Sequence, residues 1–352
     1  MNRRRYVALV GVSLLPGCNA TSSSADDGAP APTAVPATET PEPATPEATP
    51  EATEPDAGSG SGPSTPNTAF AGNVIREAVD ELNLAINDLH FSTRDIEHPD
   101  QVPDIETREP ELSTEFISDL LDEATPDASA EQREQIDALR TFNGLILDAI
   151  AVVETTFEIH DGWEVGISFY RSERLETAAS ELEEQIAPIE ESREQVAGMQ
   201  DTLVDVEAEL GEETAVKVDD FRDFLDDLTA ILNGFGVLMN GAIILVEGQR
   251  EMDLGLEAIR NDDPKDDDYH EGEDRFTAAI DLLAEAEATF KTGERRDDIT
   301  FQNEIIASTC EADRLKTASE HYREASNLAI RSRFEEAIDA MAAGDDELNR
   351  GC

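Results

Sequence analysis

Residues 175–210 read LETAASELEEQIAPIEESREQVAGMQDTLVDVEAEL, and an apolar side chain returns every seven residues at Leu175, Leu182, Ile189, Val196, Leu203 and Leu210. Ile186, Met199 and Val206 lie on the neighbouring rows, and Gly211 ends the run. A seven-residue apolar period describes helices that pack along a seam, here one long helix or two helices split near Pro188. A second series, Phe221, Leu228, Phe235 and Ala242, is accompanied by Leu225, Leu232, Leu238 and Leu245. The two series predict an antiparallel helical hairpin across the short turn 211–214.

Working outward, Ile136, Leu139, Ile146, Ile150, Val153 and Phe157 line one face of a further helix. Ser129 and Gln132 form a capping box at its start, and its end is expected near His160-Asp161-Gly162. Strand-like alternation of useful length is missing. The expected fold is therefore all-α, long antiparallel helices forming a bundle or an irregular helical-repeat array.

The stretch Leu228 to Val246 carries no charge over 19 positions, long enough for a membrane span. Asn233, Gly234, Gly236, Asn240 and Gly241 interrupt it, acidic residues flank it, and no Lys or Arg cluster marks an end. A buried central helix is the expectation. Gly234, Gly241 and Gly248 recur every seven residues, which lets another helix approach closely.

The 352 residues hold 80 Asp and Glu against 26 Lys and Arg, a formal net charge of −54. Residues 1–68 contain 8 acidic and 3 basic residues, so the remainder carries 72 and 23 in a segment full of apolar periodicity. A folded body rather than a disordered chain therefore bears the charge. Such a surface repels a phosphate backbone and an anionic bilayer, excluding nucleic acid as a partner. Lysine is reduced to Lys217, Lys265, Lys291 and Lys316. The composition resembles that of haloarchaeal proteins. In molar salt the screening length falls to about 3 Å, which relieves carboxylate repulsion, so the fold is expected to depend on salt.

Arg3, Arg4 and Arg5 precede a short apolar stretch, Val7 to Leu15, and Leu15-Pro16-Gly17-Cys18 closes it. That order is an export signal too short to span a membrane. Arg3-Arg4-Arg5-Tyr6-Val7 resembles a twin-arginine signal, and Leu15 to Cys18 resembles a lipoprotein box, with Pro16 departing from the usual small residue. The resemblance implies cleavage after residue 17, a lipid on Cys18, and a place on the outer face of the cell membrane. Residues 18–68 follow as a Thr- and Pro-rich linker holding the sequon Asn19-Ala20-Thr21, expected to be an extended, disordered stalk. Residues 69–352 form the acidic helical domain.

After Trp163, Gly166 and Phe169 come Leu175, Ala178, Ala179 and Leu182, then Phe276, Ala279, Ile280, Leu283 and Ala286, and Phe334, Ala337, Ile338 and Met341, in which a large residue is followed by Ala three positions later and a large residue four beyond. This spacing resembles the second helix of a tetratricopeptide repeat, without the 34-residue period. The resemblance implies a protein partner. Trp163, Phe169 and Tyr170 form the one aromatic cluster available as a binding surface.

The histidines 90, 98, 160, 270 and 321 make no pair at metal-ligand spacing, and nucleophile elbows, phosphate loops and CxxC pairs are missing. Neither an enzyme, a cofactor nor a metal is indicated. The cluster Asp262 to Glu271 is rich in oxygen but lacks a calcium loop's glycine, and is read as a solvated cap on the next helix. Once Cys18 is assigned to lipid, Cys310 and Cys352 remain as an even pair, expected to form a disulfide. The functional expectation is a lipid-anchored interaction scaffold at the cell surface. The alternative is a binding module for a small solute or metal ion, possibly serving a transporter, with Asn233 and Asn240 as its hint.

Overall fold

A computed structural model describes residues 67–210, 214–261 and 264–352, and among them every regular element is helical. Nine α-helices follow one another: α1 (Thr68–Thr93), α2 (Arg108–Ala124), α3 (Ala130–Arg171), α4 (Leu175–Glu184), α5 (Ile186–Leu210), α6 (Val218–Ile259), α7 (Asp266–Gly293), α8 (Gln302–Ile330) and α9 (Phe334–Leu348). Short 3-10 turns occupy Pro99–Asp104 and Thr125–Asp127. The signal segment, Cys18 and the linker up to residue 66 lie outside the described residues.

Prolines mark the joints. Pro110 and Pro188 fall in the first turns of α2 and α5, where a missing N–H costs no helical hydrogen bond. The split between α4 and α5 falls at Gln185, three residues before Pro188. All six heptad positions from Leu175 to Leu210 are buried. They do not serve one hairpin, however: α5 divides its contacts between α3 and α6, and the glycine face of α6 goes to α7.

The central element is α6, against which α1, α3, α4, α5, α7 and α8 all pack. It is long and apolar enough to cross a membrane, yet Phe221, Leu225, Leu228, Leu232, Phe235, Leu238 and Leu245 are enclosed by these neighbours. Its seam with α7 is a ladder of bare backbone and large side chains. A Cβ on Gly248 would meet Leu283 at 2.7 Å, one on Gly255 would meet Phe276 at 2.7 Å, and Gly241 lies closer still to Phe290. Successive rungs are seven residues apart on both helices and run in opposite directions, as an antiparallel pair requires.

Ser129 and Gln132 cap α3 reciprocally, with Gln132 N–H donating to Ser129 Oγ at 3.2 Å. The helix runs eleven residues beyond its expected end near His160, to Arg171. Gly162 does not stop it, because a Cβ there would collide with Gln185, and Gly166 is likewise covered by Leu182. These glycines admit the α4–α5 joint rather than end a helix.

α3 and α4 meet through the same turn as α8 and α9. Arg174 N–H bonds Phe169 C=O at 3.0 Å and Glu173 N–H bonds Tyr170 C=O at 3.0 Å; Arg333 N–H to Leu328 and Ser332 N–H to Ala329 repeat both bonds at 2.9 and 2.8 Å. Glu173 and Ser332 adopt left-handed φ of 59° and 58°. This 6→1, 5→2 pattern satisfies the last carbonyls of the preceding helix and reverses the chain.

Candidate functional site

The second half of α6 carries several polar side chains on its packed faces. α4 packs against α6 and α9 against α8, so α6 residues 249–260 run between the α3–α4 turn on one side and α9 on the other. Tyr170, in the last turn of α3, is 7% exposed, and its ring reaches toward α8. Burial, and the carboxylates of Glu311 and Asp253, hold its hydroxyl well above the ordinary phenol range; Arg314 opposes them. The hydroxyl is buried and lies toward the Glu311 carboxylate.

Glu311 and Arg314 face each other one turn apart on α8, at 2% and 3% exposure. Arg314 Nε donates to Glu311 Oε2 at 2.9 Å, Nη2 donates to Oε1 at 2.5 Å, and Nη1 donates to the Leu348 carbonyl at the end of α9. Both carboxylate oxygens are thereby used, which is what allows a charged pair to be buried. Next to Glu311, Cys310 is joined to Cys352 with Cα atoms 5.8 Å apart, within the range that a disulfide spans.

On α6 itself, Gln249 is 7% exposed and its buried Oε1 has no partner. Asp253, one turn on, is exposed. Desolvation of its carboxyl by the surrounding protein, and then the Glu173 carboxylate, push it up to about 6, with Arg260 pulling the other way. Arg260 is committed elsewhere: it pairs with Asp345 of α9 at 2.6 Å and lies over the Tyr322 ring at 5.7 Å. Tyr322 in turn donates to Asp345 at 2.7 Å.

The aromatic surface expected from the sequence is corrected. Trp163 and Tyr170 are buried in the core, and Phe169 is half-buried beneath the Arg174 guanidinium, 4.3 Å from its ring centre. A Trp163–Tyr170 row spaced seven apart on α3 belongs to packing, apart from the Tyr170 hydroxyl. Asn233 and Asn240 are held by backbone carbonyls. Asn233 donates to the Asp298 carbonyl at 3.3 Å, and Asn240 to the Gly236 carbonyl of its own helix at 2.7 Å.

The acidic run before α7 caps that helix, with Asp266, Asp267 and Asp268 in its first turn and Asp268 Oδ2 accepting from Lys265 N–H at 2.8 Å. Asp262 and Asp263 lie outside the described residues. Among the described residues no three His, Cys, Asp or Glu side chains gather as a metal centre. His98 is bound instead to the buried Glu304 of α8, Nδ1 to Oε1 at 2.6 Å.

Tyr170, Gln249, Asp253 and the Glu311–Arg314 pair were not grouped by the sequence, since they arrive from three helices. Gln249 held one usable signal, a long polar side chain on the core face of an apolar helix. No protein-family model, curated protein or solved structure matches the chain.

Proposed function

We propose that the protein is a lipid-anchored, extracytoplasmic scaffold that holds a partner protein against its helical body at a haloarchaeal cell surface. One observation carries the interaction part of this reading. α9 follows α8 by the turn that joins α4 to α3, and Phe334, Ala337 and Ile338 stand in register with Leu175, Ala178 and Ala179. α4 buries Leu175 to 8% exposure against α6, whereas Phe334 and Ile338 remain 53% and 66% exposed. α9 thus ends the row of helices with Ala337 covered but Phe334 and Ile338 bare, on a chain whose surface is otherwise dominated by carboxylates.

The anchoring part rests on the Arg3-Arg4-Arg5 run and the Leu15 to Cys18 box. Its test is Cys18→Ser in the full chain: the protein should pass from the membrane fraction to the medium, and retention on the membrane would refute the lipid. The scaffold is tested by capture at native salt with wild type and with Ile338→Asp. A partner held by the first and lost by the second, with unchanged helical signal, supports docking on α9; equal capture by both removes α9 from the account.

The solute-binding alternative rested on Asn233 and Asn240, whose amides are engaged by the Asp298 and Gly236 carbonyls.

A further inference from the structure

We propose that the partner docked on α9 is a second copy of this chain: the arginine-bearing tip where α8 turns into α9 sits on the carboxylate-rimmed apolar face of α1 and α2 of the next molecule. The proposal rests on the reading of α9 as an interaction surface and names its occupant.

The tip is cationic and bare. Arg331, Ser332, Arg333 and Phe334 are four consecutive exposed residues, and Ile338 stands one turn on. Arg331 and Arg333, with Arg323 and His321 of α8, line one open hollow of about 670 Å³, where they outnumber the carboxylates of Glu320 and Glu324. A hollow between α6 and α7 has the opposite balance, Glu251, Glu271 and Asp274 against Arg275. Arg323 has no hydrogen bond or ion pair among the described residues, and Arg331 meets only the neutral Asn327 Oδ1 at 3.2 Å.

A face of opposite charge lies on the same chain. Ser113 Oγ of α2 donates to Glu81 Oε1 of α1 at 2.8 Å, and Leu84, Leu112 and Phe116 stand within one turn of that bond, 49%, 49% and 44% exposed. Leu112 and Phe116 share one face of α2, with the exposed Glu109, Glu115 and Asp119 beside them. The carboxylates of Glu109, Glu106 and Glu81 also gather around Asp88 of α1; burial first, and then these charges, hold its carboxyl above the ordinary range. None of these carboxylates makes an ion pair among the described residues, and Arg108, the one cation of α2, pairs with none of them. Glu287 and Asp345, by contrast, are paired with Lys291, Lys316 and Arg260.

Each surface supplies what the other lacks, guanidinium groups and Phe334 on one side, unpaired carboxylates with Leu112 and Phe116 on the other. α2 packs against α1 and α3, and α9 against α8, so both surfaces stay bare within one molecule. Repulsion between two acidic bodies is screened beyond about 3 Å in molar salt, whereas a guanidinium touching a carboxylate lies within that distance. The two surfaces differ, so copies join head to tail, closing into a ring or extending as a row.

The test is the light-scattering mass of the purified full chain carrying Cys18→Ser, in molar sodium chloride over a range of concentrations. With no other change the chain should reach at least twice the mass of one molecule as concentration rises. Arg331→Glu with Arg333→Glu, and Glu109→Arg with Glu115→Arg, should each stay single with an unchanged helical signal. Mixed in equal amounts, the two variants should regain the higher mass, since each reversed surface then meets its complement. Leu112→Asp probes the same face without reversing a charge and should also stay single. A parent chain that stays single, variants that assemble as the parent does, or a mixture that regains nothing would overturn the proposal. A single parent chain that still crosslinks from position 338 to a different protein leaves α9 a docking surface and removes the second copy as its occupant; no crosslink at all removes both.

Discussion

Phe290 of α7 lies directly over the backbone of Gly241 of α6, so closely that a Cβ at Gly241 would occupy the space of the ring. Gly248 and Gly255 meet Leu283 and Phe276 in the same way. The seam therefore depends on hydrogen at these positions, and no side chain can be added without moving a buried ring or Leu283.

Gly241→Ala tests that dependence. Replacing glycine within a helix gains up to about 1 kcal/mol from propensity, whereas overpacking a core costs roughly 1–3 kcal/mol, so the variant should be destabilised. Gly144 of α3 has nothing within 4 Å of its would-be Cβ, and Gly144→Ala should be stabilised by the propensity gain alone. Denaturant midpoints of the pair measure both; equal shifts of one sign would mean the seam is looser than described.

The Glu311–Arg314 pair calls for a double-mutant cycle. Arg314→Met leaves a buried carboxylate without its partner and should cost about 3–5 kcal/mol, while Glu311→Leu with Arg314→Met should recover most of it. Stability that simply added across the two substitutions would show that the residues do not act as a pair.

His98 makes the fold sensitive to pH. Its bond to Glu304 raises the imidazole above its ordinary value near 6.5, with burial opposing and Asp100 and Glu97 adding to the rise. A group raised on folding stabilises fully below its unfolded value and loses that contribution as pH climbs through the folded one. Asp253, also raised, acts in the same direction, so the His98→Gln comparison isolates the histidine. Wild type should lose stability across the pH range just above 6.5 more steeply than His98→Gln; parallel curves would contradict the bond's role.

Reduction should loosen the carboxyl end. Cys310 and Cys352 are 42 residues apart, and closing a loop of that length corresponds to about 4 kcal/mol in the chain-entropy treatment. Cys352→Ser, or wild type in reductant, should unfold at lower denaturant by up to that amount, with α9 still held by Arg314 and by Gly344 against Tyr322. An unchanged midpoint would mean that the bond does not form in solution.

The helical body was legible where one periodic face decided burial. Leu175 to Leu210 and Phe221 to Leu245 are both buried as their spacing required. The end of α3 was misread because Gly162 and Gly166 carry the same letters whether they stop a helix or admit a neighbour, and only Gln185 and Leu182 distinguish the cases. α5 was matched to α6 alone, since a heptad row says that a helix is covered but not by how many partners. The neighbourhood of Tyr170 and Glu311 was invisible because packing brings the two together across more than a hundred residues, in a chain where carboxylates are too common to single any out.

The interaction reading is tested most directly by a photo-crosslinking residue at position 338, activated in intact cells at native salt, followed by mass spectrometry of everything joined to the chain. A reproducible protein partner, absent when Phe334 is also changed to Asp, is the result the account requires. A folded, abundant, membrane-bound protein that crosslinks to no other protein would contradict it.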